Sequence, residues 1–191
     1  MARAVNRFTM WLANRSVKLY ALARGWVVLA AFAVIYLYLA LTFPALQSAP
    51  GGEIVSLDAG FFYTPAQAFS KIASYGEARI FWIVMYLTWD VLNPVLYSVG
   101  LSLFVSWVLA RALDSGNPWR LLNLLPLAGG LADLLENLSI VVLMAVHPMQ
   151  PLAVAWMATL FTMLKMSLLA LSVLPVVPGV IAAAWHGFKV Q

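Results

Sequence analysis

Six side chains of this sequence have the types and spacing that move protons or hold cations, yet they sit in stretches otherwise suited to lipid. Asp90 and Asn93 stand in TWDVLNPVLY, Asp133, Glu136 and Asn137 in LADLLENLS, and Lys165 in FTMLKMS. Carboxylates that share a site with an ammonium can bind a proton or an ion, or divide into an acid and a base. Asp133, Glu136 and Asn137 are spaced i, i+3, i+4 and so share one helix face, as do Asp90 and Asn93. The series Asp90, Pro94, Ser98, Ser102, Ser106 steps by four along one stripe, and small hydroxylated residues at that spacing let two helix backbones approach. A charge at the centre of a bilayer costs on the order of 3 kcal/mol, so these groups are expected to face protein or water rather than acyl tails.

The elements that must position them are membrane spans. Hydrophobic residues make up 64% of the 191 positions and charged residues 9%, which belongs to the membrane class. The sequence predicts an all-α membrane fold, an up-down bundle of four transmembrane helices at residues 25–43, 80–110, 121–146 and 152–176. An amphipathic segment, 1–24, precedes the first span, and an extramembrane loop, 44–79, follows it. Within that loop Thr64-Pro65-Ala66-Gln67 combines a hydroxyl cap, a Pro at the first helical position and a Gln three residues after the cap. It therefore predicts a short helix over 65–75, with Phe69, Ile72 and Ala73 on one face and Gly76 as its stop. A cleaved signal peptide is the competing reading of the first span, but its apolar run is longer than a signal core. Five of the eleven cations (Arg3, Arg7, Arg15, Lys18 and Arg24) precede that span, and Arg111, Arg120 and Lys189 fall on the same side, against Lys71 and Arg79. The positive-inside rule then sets both termini in the cytoplasm. This charge pattern is a topology signal, so nucleic acid is not an expected partner; the bilayer is.

With no cysteine, the chain has no disulfides, no thiolate chemistry and no Cys-ligated metal. His147 and His186 lie outside the spans, so a bis-histidine haem or metal site lacks its ligands, and no cofactor or metal is expected. Trp82, Tyr86 and Trp89 read as belt and packing residues. Pro94, Pro126 and Gly129-Gly130 read either as tolerated kinks or as openings that free carbonyls to line a cavity.

Counting down from the α-helical ends at 1.5 Å per residue places Asp90 and Glu136 roughly 15 Å deep, and Asp133 and Lys165 roughly 20 Å deep. The expectation is that Lys165 pairs with Asp133, and that Asp90 faces Glu136 closely enough to share a proton or cation. Full ionisation of three acids against one base leaves two uncompensated negative charges, so one acid is expected to keep its proton unless water or a ligand compensates it. The structural alternative is a register-fixing ion pair, with Asn93, Asn137, Thr162 and Ser139 as hydrogen-bonding glue.

The segments LDAGFFYTPAQAFSKIASYG, TWDVLNP, RLLNLLPLAGGLADLLEN and FTMLK, which run from Leu57 to Lys165, resemble an uncharacterised family of small four-span prokaryotic integral membrane proteins. The resemblance implies that Asp90, Asp133, Glu136, Asn137 and Lys165 belong to a recurring pattern, and it supplies no substrate. Three functions fit these observations. The first is a buried polar site for a proton, ion or small amphiphile in transport, sensing or carriage, for which translocation favours a homo-oligomer. The second is an assembly subunit whose charges serve packing. The third is an intramembrane enzyme on a lipid or isoprenoid, with Glu136 or Asp90 as acid and base and Lys165 as electrostatic stabiliser.

Overall fold

The computed structural model describes residues 2–50, 57, 60–174 and 176–177, with the side chains of 2–6 and 8 outside the description. Among them no strand occurs, and the chain runs as seven α-helices: α1 (Ala2–Leu22), α2 (Gly25–Gln47), α3 (Pro65–Ser74), α4 (Arg79–Leu87), α5 (Trp89–Ala112), α6 (Leu125–Ala145) and α7 (Leu152–Val173). Four stretches, Gly25–Gln47, Gly76–Ala112, Pro118–Ala145 and Leu152–Val173, are long and apolar enough to cross a membrane, which supports a multi-pass membrane protein.

Each of the four expected spans differs at a boundary from its reading in the sequence. The expected single span 80–110 is broken at Thr88 (φ −117, ψ −83), which separates α4 from α5. The Thr88 hydroxyl donates to the Val84 carbonyl at 2.6 Å, and Pro94, having no N–H, leaves the Asp90 carbonyl without its helical donor. The expected span 121–146 opens instead with a 3-10 helix, Pro118–Leu124, so Pro126 lies in the first turn of α6, where its missing N–H costs nothing. The first span outruns its expected end, continuing through Pro44 to Gln47, and α7 stops at Val173, short of the expected 176; Pro175 and residues 178–191 lie outside the described residues.

α6 is the hub. In the stretch Pro118–Ala145, 61% of the most apolar window is buried, against 11% for Gly25–Gln47, so α2 is a peripheral helix whose apolar sides face outward. Gly130 lets α5 and α6 meet: a Cβ there would lie 2.7 Å from the Ser98 side chain and 3.0 Å from the Pro94 carbonyl. Gly129 does the same toward α7, where an added Cβ would lie 3.2 Å from Leu169. The glycine pair thus serves close approach of α6 to the helices on both sides of it. Pairing of Asp90 with Asn137, Ser98 with Gly130 and Ser106 with Asn123 shows that α5 and α6 run in opposite directions. Thr162 with Glu136 and Leu169 with Gly129 show the same for α6 and α7.

The two ends of the bundle are closed differently. At one, α3 forms as its sequence predicts: Thr64 Oγ1 accepts from Gln67 N (3.3 Å), Thr64 N donates to Gln67 Oε1 (2.7 Å), Pro65 opens the helix and Gly76 stops it at φ +51. Its buried stripe is Pro65, Ala68 and Ile72; Phe69 is half-buried and Ala73 exposed, because the helix packs on α6 and α7 as well as facing outward. Tyr63, Tyr75, Trp82 and Tyr86 join Ile140, Leu143, Met144, Ala155 and Ala158 in the apolar core beneath it. At the other end α1 docks on α5 and the 3-10 helix, burying Ser16.

Candidate functional site

Lys165 lies on the buried side of α7 and aims its ammonium at α6. Its Nζ lies 2.9 Å from Asp133 Oδ1 and 2.7 Å from Glu136 Oε2. Residues three apart on a helix present neighbouring side chains, so one ammonium bridges both acids. The expected pairing with Asp133 is therefore present, and Glu136 is a second partner. All three are buried, Glu136 completely. The other oxygen of Asp133, Oδ2, accepts from the Tyr97 hydroxyl at 2.8 Å, and Glu136 Oε1 accepts from the Thr162 hydroxyl. Thr162 Oγ1 also stands 3.4 Å from the Tyr63 hydroxyl, and Thr159 donates to the Tyr63 carbonyl at 2.8 Å. A loop residue thereby seals the α3 side of the cluster.

Asp90 is half-buried in the first turn of α5, where the helix dipole favours a negative charge. Its Oδ2 accepts from Asn137 Nδ2 at 2.9 Å, and the same amide group stands 3.5 Å from the Asp90 carbonyl that Pro94 leaves without a helical donor. Asn137 follows Glu136 directly on α6, so the contact to Asp90 runs through the neighbouring residue of the expected partner. Because a carboxylate accepts hydrogen bonds, the Asn137 amide must present its nitrogen to Asp90. Its carbonyl oxygen is then left buried with no hydrogen-bond partner among the described residues. The break at Thr88 is tied to α2 by the Tyr38 hydroxyl, which donates to the Trp89 carbonyl at 2.7 Å. Asn93 is half-buried one turn along and makes no side-chain hydrogen bond among the described residues, so it stands beside the network without joining it.

Sequence reading missed Tyr97 and Tyr63. Tyr97 stands seven residues after Asp90 and four after Asn93, so helical spacing carried a usable signal for it. Tyr63 lies before the cap of α3, and no periodicity points a loop residue into a bundle.

No family model, curated protein or solved structure matches this chain.

A second polar cluster, without charge, lies at the α1 end. Asn123 Oδ1 accepts from Ser16 Oγ at 2.9 Å, and Asn123 Nδ2 donates to Ser106 Oγ at 2.9 Å and lies 3.3 Å from the Ser16 carbonyl. Ser106 Oγ in turn donates to the Ser102 carbonyl at 2.7 Å. The Ser102–Ser106 part of the predicted stripe is buried here, as its spacing implied.

Proposed function

We propose that this is a membrane protein whose buried cluster binds a proton or small cation, in a transport, sensing or carrier role. One observation carries the reading: a single ammonium, Lys165, lies between two buried carboxylates. It is the only Lys or Arg in residues 80–110, 121–146 and 152–173, and Asp90 adds a third acid beside the same helix. Hydrogen bonds from Tyr97, Thr162 and Asn137 delocalise that negative charge but do not cancel it. A proton, or a cation with a thin hydration shell, does. The buried Asn137 carbonyl oxygen next to Asp90 adds a neutral acceptor, the type of group that completes the shell of a cation or hydronium. A small amphiphile with a cationic head has the same charge and remains within this reading. Within an up-down bundle in the cytoplasmic membrane, the cluster lies near the midplane, where a bound charge can be exchanged toward either face.

The test is infrared difference spectroscopy of the full protein between pH 5 and 9, following the carbonyl stretch of protonated carboxyls. A titrating band that Glu136→Gln or Asp90→Asn removes is the expected result. Carboxyls that stay ionised throughout, with no spectral response to alkali cations, would sink the proposal. That outcome would favour the assembly reading, which draws on the fact that each of the three acids has a protein hydrogen-bond or ion-pair partner.

A further inference from the structure

The α1 end of the bundle carries a second site of different chemistry. A cavity of about 380 Å³ opens between α1 and the connector from α5 to α6, lined by Ser16, Tyr20, Ser115, Gly116, Asn117 and Arg120 among others. Among the described residues Arg120 is its only charged lining residue. The guanidinium stacks on the Tyr20 ring, 3.9 Å from its centroid, and the Tyr20 hydroxyl donates to the Arg120 carbonyl at 2.9 Å, so the side chain is held in one place. Its Nε is buried without a hydrogen-bond partner, and Arg120 makes no ion pair among the described residues. A guanidinium presents its donors in a planar fork that matches phosphate oxygens, and here that fork is positioned by stacking while its charge is unanswered.

The surroundings have the same sign. Arg7, Arg15, Lys18, Arg24 and Arg111 are exposed on this end, against Asp114 as the acid of the connector. A basic cavity at the level where spans end is where a bilayer presents its phosphates. We propose that this cavity holds the phosphate headgroup of an anionic phospholipid, with Arg120 as the anion-binding residue and the hydroxyl and amide groups of Ser115 and Asn117 as neighbours. Tyr20 acts as a positioning residue. The site needs only that the helices cross a bilayer, and it is independent of what the charged cluster binds.

The experiment is native mass spectrometry of the full chain in detergent, titrated with phosphatidylglycerol or with phosphatidylcholine of the same acyl chains. Wild type should retain phosphatidylglycerol about tenfold more strongly, the size expected of hydrogen bonds to a charged group. Arg120→Gln should bring the ratio close to one. A Cβ at Gly116 meets nothing within 4 Å, so Gly116→Phe places a ring at the cavity without a backbone clash. It should reduce the ratio while leaving the thermal midpoint unchanged, which separates site loss from misfolding. Arg111→Gln is the control, since Arg111 stacks on Trp107 and donates to the Trp107 carbonyl at 2.7 Å, outside the cavity. Equal losses in Arg111→Gln and Arg120→Gln would reduce the site to diffuse surface charge, and an unchanged ratio in Arg120→Gln would end the proposal. Displacement of phosphatidylglycerol by millimolar sodium phosphate would assign the cavity to a soluble anion and overturn the lipid.

Discussion

Two buried polar clusters stand out among the described residues, one at each end of α5, and they differ in what they leave unresolved. The Ser16–Asn123–Ser106 cluster is neutral, and the side chains of these three residues bond one another across α1, α5 and the 3-10 helix, with only the Ser102 hydroxyl beside them left without a hydrogen-bond partner among the described residues. The Asp133–Lys165–Glu136 cluster is equally buried, yet it holds more acid than base and extends through Asn137 to Asp90. A closed neutral network can fix geometry and is insensitive to pH. A network with surplus negative charge fixes geometry too, but its energy depends on what neutralises it, and that dependence is the physical basis of a binding site.

The largest expected effect tests the charged side of this contrast. Lys165→Met leaves two acids buried around an apolar side chain and should cost roughly 3–5 kcal/mol of stability, or prevent accumulation of folded protein. Adding Asp133→Asn and Glu136→Gln should recover most of the loss, read as thermal unfolding in detergent. If the single change were neutral, the two carboxyls would already be protonated in the folded protein, and Lys165 would not be their counter-ion. An intermediate effect is expected from Asn123→Ala, which leaves Ser16 and Ser106 without their shared partner. A loss of about 1–3 kcal/mol, the same at every pH between 5 and 9, should appear with faster proteolysis within α1. A pH-dependent loss would erase the distinction between the clusters.

The smallest effect concerns Tyr20, whose hydroxyl is shifted above its ordinary value of 10 by burial, against the opposing charge of the Arg120 guanidinium. A folded-state value raised above the unfolded one means that the neutral hydroxyl favours the docked helix. That contribution is complete below pH 10 and is lost as pH rises through the folded-state value. Amide exchange in α1 should therefore quicken above pH 10 in wild type and show no such step in Tyr20→Phe.

Much of the architecture is legible in the residues themselves. Apolar runs of sufficient length, the Thr64–Gln67 cap, the serine stripe and the shared face of Asp133, Glu136 and Asn137 are local properties, set by periodicity and by the cost of unpaired backbone groups. Matching depths along neighbouring helices was enough to place Lys165 against Asp133. The break at Thr88 was less accessible, since an apolar run reads as one span whether or not its hydrogen-bond ladder is continuous.

What the sequence alone determined is that the acids and Lys165 must be buried among helices, because lipid offers ionised groups no partner. What only the tertiary structure decided is the allocation of partners. Lys165 reaches a second acid, Asn137 turns its nitrogen to Asp90, and Tyr63 and Tyr97 enter from a loop and a neighbouring helix. Those choices depend on helix rotation and on approach distances, which Gly129 and Gly130 set through contacts between segments distant along the chain.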